Sequence, residues 1–294
     1  MSTDPIQAFM TAELDRTVEP ATMALAEAAM ARVGGVRAVL FYGSCLRDGL
    51  ATDAVADLYL LTDGYKSTGQ APWARMANGL LAPNVFYMEA ETPLGQIAAK
   101  AAIVSVDDFV RLTGPKTFHS YFWARFTQPA AVVWANGQDT RQALARAFAA
   151  AARTFAAETA EGPLAPGASD QFWPVGFQKT YASELRAEGP ERAEILYRAD
   201  ADRYRALYDL LQADGVEPLS APRRWRLRRM QGKFLSVARL AKAIFTFENG
   251  VDYVLWKVKR HSGVHIEAKP WQRRFPLIAA PGLAFKVWRA GGFR

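Results

Sequence analysis

The sequence contains one cysteine, Cys45, and only three histidines. A single thiol cannot form an intramolecular disulfide and is too little for a structural zinc site, so a reducing compartment is the natural setting. His119, His261 and His265 are too scattered to predict a metal-binding cluster. No Ser-His-Asp or Cys-His catalytic arrangement is supported by the residues either. These shortages exclude a disulfide-stapled fold and argue against zinc chemistry.

Targeting features are also missing from the sequence. The N-terminus, MSTDPIQAFM, has no basic stretch followed by an apolar run, and no segment approaches 18 uncharged apolar residues. Neither a signal peptide nor a membrane-spanning helix is therefore indicated. Half of the 294 residues are apolar, which is enough to bury one large core or two modest ones. We expect a globular cytoplasmic protein.

Positive charge is concentrated in the C-terminal quarter. From residue 220 onward 17 Lys and Arg stand against three acids, a net charge of +14, which leaves −7 for residues 1–219. Such a segment suits a polyanionic surface, either nucleic acid or anionic lipid head groups. A solvated basic helical face is the simpler explanation.

Periodicity and turn residues predict an α/β front half and a mainly helical back half. β-Branched and aromatic runs predict strands at 36–42, 55–63, 84–91 and 97–106. Helical spacing predicts helices at 6–32, 69–80, 107–126, 137–160, 172–188, 200–214, 228–247 and 251–260. The Pro- and Gly-rich stretch 160–169 is the best candidate for a linker. We therefore divide the chain into domains at 1–160 and 170–260 and a basic aromatic segment at 261–294.

One strand ends in Gly43-Ser44, and an acid, Asp57, lies inside the next apolar strand. A strand that runs through Gly-Ser into a short helix presents backbone amides and a hydroxyl, which suit the terminal phosphates of a nucleotide. Asp57, on an adjacent strand, would point toward the same phosphates and could hold the Mg²⁺ that neutralises them. The alternative is a strand of pure core in which Asp57 caps a turn.

This arrangement resembles the polymerase-β-like nucleotidyltransferases, in which Gly-Gly or Gly-Ser is followed, after a short hop, by an acid flanked by apolar residues. In that superfamily a second acid follows two positions on, where residues share a strand face. Here that position is Tyr59. Either the second ligand comes from elsewhere, or this branch manages differently, or the site is inactive.

Later segments resemble a narrower family, the mitochondrial CDP-diacylglycerol synthases of the translocator assembly and maintenance type. That family has a Tyr-Gly-Ser opening, a Lys-x-x-hydrophobic-Val-Ser-hydrophobic-Asp stretch and an Ala-x-Arg-x-x-x-Pro segment. The matching positions here are Tyr42, Gly43, Ser44, Lys100, Val104, Ser105, Asp107, Asp108, Arg125 and Pro129. The match covers about 40–135 and, loosely, 220–260. The family's His-rich run appears here as PWARMANGLL, without the histidine.

The resemblance implies transfer of CMP from CTP to a phosphatidate-like lipid phosphate, with release of pyrophosphate and with Mg²⁺ as cofactor. It also implies an α/β (α+β) nucleotidyltransferase fold with a mixed sheet in 1–160, followed by a mainly helical C-terminal region. The residues expected to bind the nucleotide are Tyr42, Gly43, Ser44 and Arg47. Those expected to act at the reacting phosphates are Asp57, Lys100 and Arg125.

Asp57 is the expected metal ligand, and Asp107 and Glu89 are candidates for a further carboxylate. Each candidate has a simpler explanation. Asp107 or Asp108 can cap the helix that follows, and Glu89 can be an ordinary acid at a strand end.

The basic C-terminus gains a purpose if the acceptor is a lipid. Residues 261–294 interleave aromatic and basic residues, which fits an interfacial anchor on an anionic membrane, although the aromatics could instead pack on the protein's own core. Pro276 and Pro281 argue against one long helix and favour a short one near 281–290. We expect a protein peripheral on the inner face of the membrane. The residues expected to bind lipid phosphate or membrane are Arg239, Lys242, Trp271, Arg273, Arg274 and Trp288.

Two other functions stay open at this point. A nucleotidyltransferase with another acceptor, such as a phosphorylated sphingolipid, a small molecule or a protein, would preserve the same motifs. A basic nucleic-acid-binding protein would explain the tail alone, but large apolar residues interrupt the basic segment and no known nucleic-acid motif is present. We expect CTP, a lipid phosphate and an anionic membrane surface as partners, and no nucleic acid.

Overall fold

A computed structural model describes residues 4–184, 191–246, 251, 255 and 265–289. Within these ranges five strands form one sheet, and helices precede, connect and follow them. The strands are β1 (Val36–Tyr42), β2 (Val55–Thr62), β3 (Asn84–Thr92), β4 (Gly95–Ser105) and β5 (Ala130–Ala135). The helices are α1 (Pro5–Leu14), α2 (Pro20–Met30), α3 (Ser44–Asp48), α4 (Pro72–Leu80), α5 (Val106–Thr113), α6 (Gln138–Thr159), α7 (Ser169–Tyr181), α8 (Glu191–Arg198), α9 (Ala201–Ala213), α10 (Pro222–Thr246), α11 (Pro270–Arg274) and α12 (Pro276–Arg289).

The sheet is mixed, with the strand order β3-β4-β2-β1-β5. β2 and β4 run parallel, while β1 pairs antiparallel with both β2 and β5, and β3 pairs antiparallel with β4. Helices cover the sheet and continue after it. The prediction of an α/β fold with a mixed sheet and a helical C-terminal region is confirmed.

Alternating residues of each strand feed two separate cores, because successive side chains in a strand point to opposite faces. One core, on the α2 side of the sheet, contains Leu25, Val39, Leu58 and Ile97. The other is larger and contains Leu40, Tyr59, Val104, Phe148, Trp173, Tyr204 and Trp225. This larger core runs from the sheet into α7, α9 and α10, so the stretch 160–169 does not interrupt it.

Several predicted element boundaries were wrong. The helix predicted at 6–32 is two helices, because Pro20 begins α2 and cannot continue the preceding helix. The helix predicted at 107–126 ends at Thr113, before Gly114-Pro115, and turns follow it. β5 and α8 were not predicted. The helix predicted near 281–290 begins earlier, at Pro276, and carries Pro281 within it.

α10 is fixed against earlier parts of the chain by two close approaches. Arg224 and Arg228 reach Glu158 of α6, with 2.8 Å between Arg228 Nη2 and Glu158 Oε2. Further along the helix, Gly232 lies against the backbone of Ser183, and a Cβ at position 232 would stand 2.1 Å from the Ser183 carbonyl oxygen. A glycine in a helix interior costs stability, so this one has a packing reason.

Among the described residues, no helix combines the length and the apolar character needed to cross a membrane. The predicted helix 251–260 lies mostly outside the described residues.

Candidate active site

Asp57 and Lys100 face each other across the parallel pair β2 and β4. Their Cα atoms are register partners, so both side chains point to the same face of the sheet. Lys100 Nζ lies 3.2 Å from Asp57 Oδ1. Both side chains keep solvent contact, with Asp57 26% and Lys100 32% exposed. The pair therefore forms an open, charged spot on a largely apolar sheet.

The turn after β1 closes over Asp57. Gly43 has φ 86° and ψ −157°, a backbone conformation that favours glycine. A Cβ at position 43 would lie 3.0 Å from Asp57 Oδ2, so a side chain there would push the Asp57 carboxylate aside. Ser44 follows at an exposed position and begins α3, which has five residues. The sequence motif therefore does bring Gly43, Ser44 and Asp57 together.

Arg47 lies in the same short helix. Its Nε is 3.4 Å from Asp48 Oδ1, and the side chain is mostly covered. The described contacts therefore pair Arg47 with its own neighbour, and its expected role in nucleotide binding stays a prediction.

Tyr59 occupies the place of the second acid on the same strand face as Asp57. The side chain is fully buried, and its hydroxyl oxygen accepts a hydrogen bond from Arg125 Nη1 at 3.3 Å. Tyr42, the cross-strand partner of Asp57, packs against Tyr59, and the Arg125 guanidinium lies 5.9 Å from the Tyr42 ring centroid. A phenol that holds an arginine thus lies at the position where the resemblance predicts a second carboxylate.

Arg125 shares one aromatic ring with Arg239 from α10. Their guanidinium carbons lie 4.3 Å and 4.0 Å from the centroid of Tyr121, within the range of cation–π attraction. The Tyr121 hydroxyl also accepts a hydrogen bond from Arg125 Nη1 at 3.1 Å. The nearest described acid to Arg125 is Glu184, whose Oε2 lies 4.0 Å from Nη2. Two guanidiniums therefore contact the ring of Tyr121, and the nearest described carboxylate lies 4.0 Å from one of them.

Lys242 lies one helical turn beyond Arg239. Its Nζ donates to the carbonyls of Leu81 and Pro83, and Arg239 Nε donates to the carbonyl of Ala82 at 3.2 Å. Burial, and then the charge of Arg239, lower the pKa of Lys242 to about 8. Arg239 thus reaches the site, whereas Lys242 binds backbone at the end of α4.

The protonation of the tyrosines is set by their burial. Burial, followed by the nearby Asp57 carboxylate, raises the pKa of Tyr42 well above its usual value, and burial does the same for Tyr59. Both phenols are therefore neutral at physiological pH. The charged groups of the site are Asp57 and Glu184 against Lys100, Arg125 and Arg239, an excess of positive charge that favours an anionic ligand.

Two of the expected metal ligands are placed away from Asp57. Asp107 lies beyond the end of β4, seven residues after Lys100, and five strand residues alone span about 17 Å. Ser105, not an aspartate, caps α5, because its side chain accepts from the amide of Asp108. The assignments of Asp107 as a metal ligand beside Asp57, and of Asp107 or Asp108 as the cap, were therefore wrong.

Glu89 lies on the same sheet face as Asp57 but two strands away, with β4 between them. Its Oε1 accepts a hydrogen bond from the Tyr87 hydroxyl at 2.6 Å. It lines a cavity of about 410 Å³ together with His265 and Arg273 of the C-terminal segment. Among the described residues, no group of three His, Cys, Asp or Glu could hold a metal ion.

Asp57 alone nevertheless fits a nucleotide-borne magnesium ion. Mg²⁺ is commonly held by one or two carboxylates together with substrate phosphates and water. An exposed single carboxylate suits that mode and does not suit a metal cage built by the protein alone.

The C-terminal residues expected at the membrane are described in part. Trp271 is about half exposed and Arg273 is exposed, while Ala279 and Leu283 of α12 are buried. Arg274 and Trp288 belong to α11 and α12, but their side chains lie outside the described part of the chain.

Sequence reasoning missed Tyr121 and Glu184. Tyr121 precedes Arg125 by four residues, a spacing that could have suggested contact within a helical turn. Glu184 gave no signal, because only the packing of the segment after α7 brings it near Arg125.

No protein-family model and no curated protein matches this chain.

Proposed function

We propose that the chain is a membrane-associated nucleotidyltransferase that transfers CMP from CTP to a phosphatidate-like lipid phosphate. The observation that carries the proposal is the carboxylate of Asp57, set under the Gly43 turn beside Lys100, with Arg125 and Arg239 grouped around the neighbouring rings of Tyr42 and Tyr121. Three cations against two acids, Asp57 and Glu184, suit two approaching phosphate groups. The choice of CTP and of a lipid acceptor comes from the sequence resemblance.

In this reaction an oxygen of the acceptor phosphate attacks the α-phosphorus of the nucleotide. The bond between that phosphorus and the oxygen bridging to the β-phosphate breaks, and pyrophosphate leaves. The enzyme must hold the reacting atoms in line and balance the charge of two polyanions. A magnesium ion bound to the triphosphate would neutralise part of this charge.

Each residue has a task in this proposal. Gly43 allows the backbone to approach the triphosphate, and Asp57 holds the nucleotide-borne metal. Lys100, beside Asp57, neutralises the triphosphate. Arg125, fixed by the hydroxyls of Tyr59 and Tyr121, and Arg239, stacked on Tyr121, bind the acceptor phosphate.

Pyrophosphate release tests the proposal. Each NTP is supplied with Mg²⁺ and a panel of lipid phosphates in mixed micelles, and wild type is compared with Asp57→Asn. We expect release with one NTP and one lipid phosphate, and a loss of at least about a thousandfold in the variant.

Asp209→Asn is the matched control, because Asp209 is an exposed carboxylate on α9. It should keep wild-type activity, and circular dichroism should show all three proteins folded. Folded wild-type protein that releases no pyrophosphate with any lipid phosphate would refute the lipid acceptor. Activity that survives in Asp57→Asn would refute the role of Asp57.

A further inference from the structure

We propose that the outer face of α10 is a docking surface for an anionic lipid bilayer. An apolar stripe runs along this helix, and each of its side chains is between 53% and 71% exposed. Its members are Leu227, Met230, Phe234, Val237 and Leu240. Spacings of three and four residues keep these side chains on one side of an α-helix. Such a stripe in water carries a cost unless something covers it.

The opposite face of α10 is already used for packing. Trp225, Arg228 and Gly232 are buried on it, and Arg239 contacts Tyr121. The helix is therefore held firmly by its inner face, and the stripe is not needed to attach it to the core. An amphipathic helix normally turns its apolar side inward, whereas α10 presents large apolar residues outward.

Basic residues flank the stripe and indicate which partner covers it. Arg226, Arg229 and Lys233 are exposed and lie along one border of the stripe. Apolar side chains bordered by cations fit the interface of a bilayer with anionic head groups. A second copy of the chain docked stripe to stripe would bring like charges together, which opposes a dimer.

A second exposed apolar row adjoins the C-terminal end of α10. Trp73, Met76 and Leu80 of α4 are at least half exposed and follow helical spacing. Lys242 binds the carbonyl of Leu81, which places this end of α10 beside the end of α4. Exposed apolar side chains therefore lie on both helices whose ends meet here.

Docking through α10 also has a consequence for the site, and this part rests on the proposed function. The helix that would lie on the bilayer with its outer face delivers Arg239 to Tyr121 with its inner face. One helix diameter, about 10 Å, would then separate the head groups from the acceptor-phosphate site. This surface lies on α10 and not in the basic aromatic segment, of which the structure describes residues 265–289.

Vesicle sedimentation with the full chain tests the surface. Sucrose-loaded vesicles of phosphatidylcholine, with and without about 30% phosphatidylglycerol, are the probes. The variant Met230→Ser/Phe234→Ser/Val237→Ser should lower partitioning onto the anionic vesicles at least about tenfold. The matched control is Val175→Ser/Ile195→Ser/Leu219→Ser, three exposed apolar residues elsewhere, which should partition as wild type does. Arg226→Glu/Arg229→Glu/Lys233→Glu should abolish the preference for anionic vesicles.

Any of three other outcomes would overturn the proposal. A stripe variant that binds as wild type does would assign membrane binding to another segment. Wild type that binds no vesicles would remove the bilayer as partner. Wild type that is dimeric by light scattering, with a monomeric stripe variant, would assign the stripe to self-association. Thermal melting confirms that each variant is folded. No nucleotide is present, so failure here is distinguishable from failure of the transfer reaction.

Discussion

Two arginines of α10, Arg228 and Arg239, both contact aromatic rings, but they differ in how closely an acid approaches them. Arg228 is fully buried over Phe118, Trp123 and Trp225, and its charge is matched by Glu158. The 2.8 Å contact between Arg228 and Glu158 is an ion pair whose atoms are not aligned as a hydrogen bond. Burial nevertheless lowers the pKa of Arg228.

Arg239 shares its ring with a second arginine, Arg125. The only acid among their described contacts, Glu184, lies 4.0 Å from Arg125. The difference teaches that residue type and ring contact alone do not define the electrostatic setting of an arginine. Each cluster holds two guanidiniums and one acid, so what separates the clusters is how closely the acid approaches. The carboxylate lies 2.8 Å from Arg228 but 4.0 Å from Arg125, and in our proposal the looser Arg239 cluster binds an anion.

The sharpest test of the Arg228 cluster removes its acid, Glu158. Glu158→Gln would leave two guanidiniums, Arg224 and Arg228, without a counter-charge, one of them fully buried. We expect a loss of about 3–5 kcal/mol in the free energy of unfolding, measured in urea. The control is Glu161→Gln, an exposed acid paired with Lys179, which should leave the free energy of unfolding nearly unchanged. Equal losses in the two variants would show that Glu158 contributes no more to stability than an exposed ion pair does.

A substitution in the Arg239 cluster should lower activity without lowering stability. Arg239→Met removes one of two guanidiniums that, in our proposal, bind the acceptor phosphate. Pyrophosphate release should fall about a hundredfold, or ~2.7 kcal/mol, while the free energy of unfolding changes by less than about 1 kcal/mol. Arg146→Met, at an exposed position of α6, should leave both quantities unchanged. A large loss of stability with unchanged activity per folded molecule would make Arg239 a structural residue like Arg228.

His119 is influenced by both clusters and offers the smallest effect. Burial, and then the charges of Arg239, Arg111 and Arg228, lower its pKa to about 4. The unfolded chain therefore binds a proton at higher pH than the folded chain does, and stability falls as pH drops from about 6.5 toward 4. Between pH 7 and pH 5, wild type should lose about 2 kcal/mol more than His119→Gln in urea unfolding. Parallel losses in the two proteins would show that His119 does not titrate in this window.

The pair at the centre of the site, Asp57 and Lys100, could be predicted from the sequence. Gly43-Ser44 and Asp57 are local signals, because each depends on one strand end or one strand face. Lys100 was chosen from the family resemblance, and the parallel register of β2 and β4 then placed it opposite Asp57. The mixed sheet was expected from the family resemblance, and four of its strands were recognisable in the sequence, although Ala130–Ala135 was missed because it is short and follows a segment rich in aromatic residues.

The rest of the site depends on long-range packing. Asp107 was misplaced because a sequence pattern does not show how far β4 carries the chain before α5 begins. Glu184 and Arg239 come together only because α10 packs back over the sheet. The exposed stripe of α10 was not foreseen for the same reason, since periodicity shows an apolar face but not which way the face points.

Gly232 has a consequence for how this protein tolerates change. No side chain fits between α10 and Ser183, so even alanine at position 232 would force the helix outward. Ser183 precedes Glu184, which lies near Arg125, and Arg239 is seven residues after Gly232, two turns along the same helical face. A mutagenesis survey that measures only whether activity is lost would therefore group position 232 with the residues of the proposed site, such as Asp57. The missing side chain of Gly232 thus sets the distance between α10 and the segment at Ser183, and with it the spacing of Arg239 and Glu184 in the anion site that we propose.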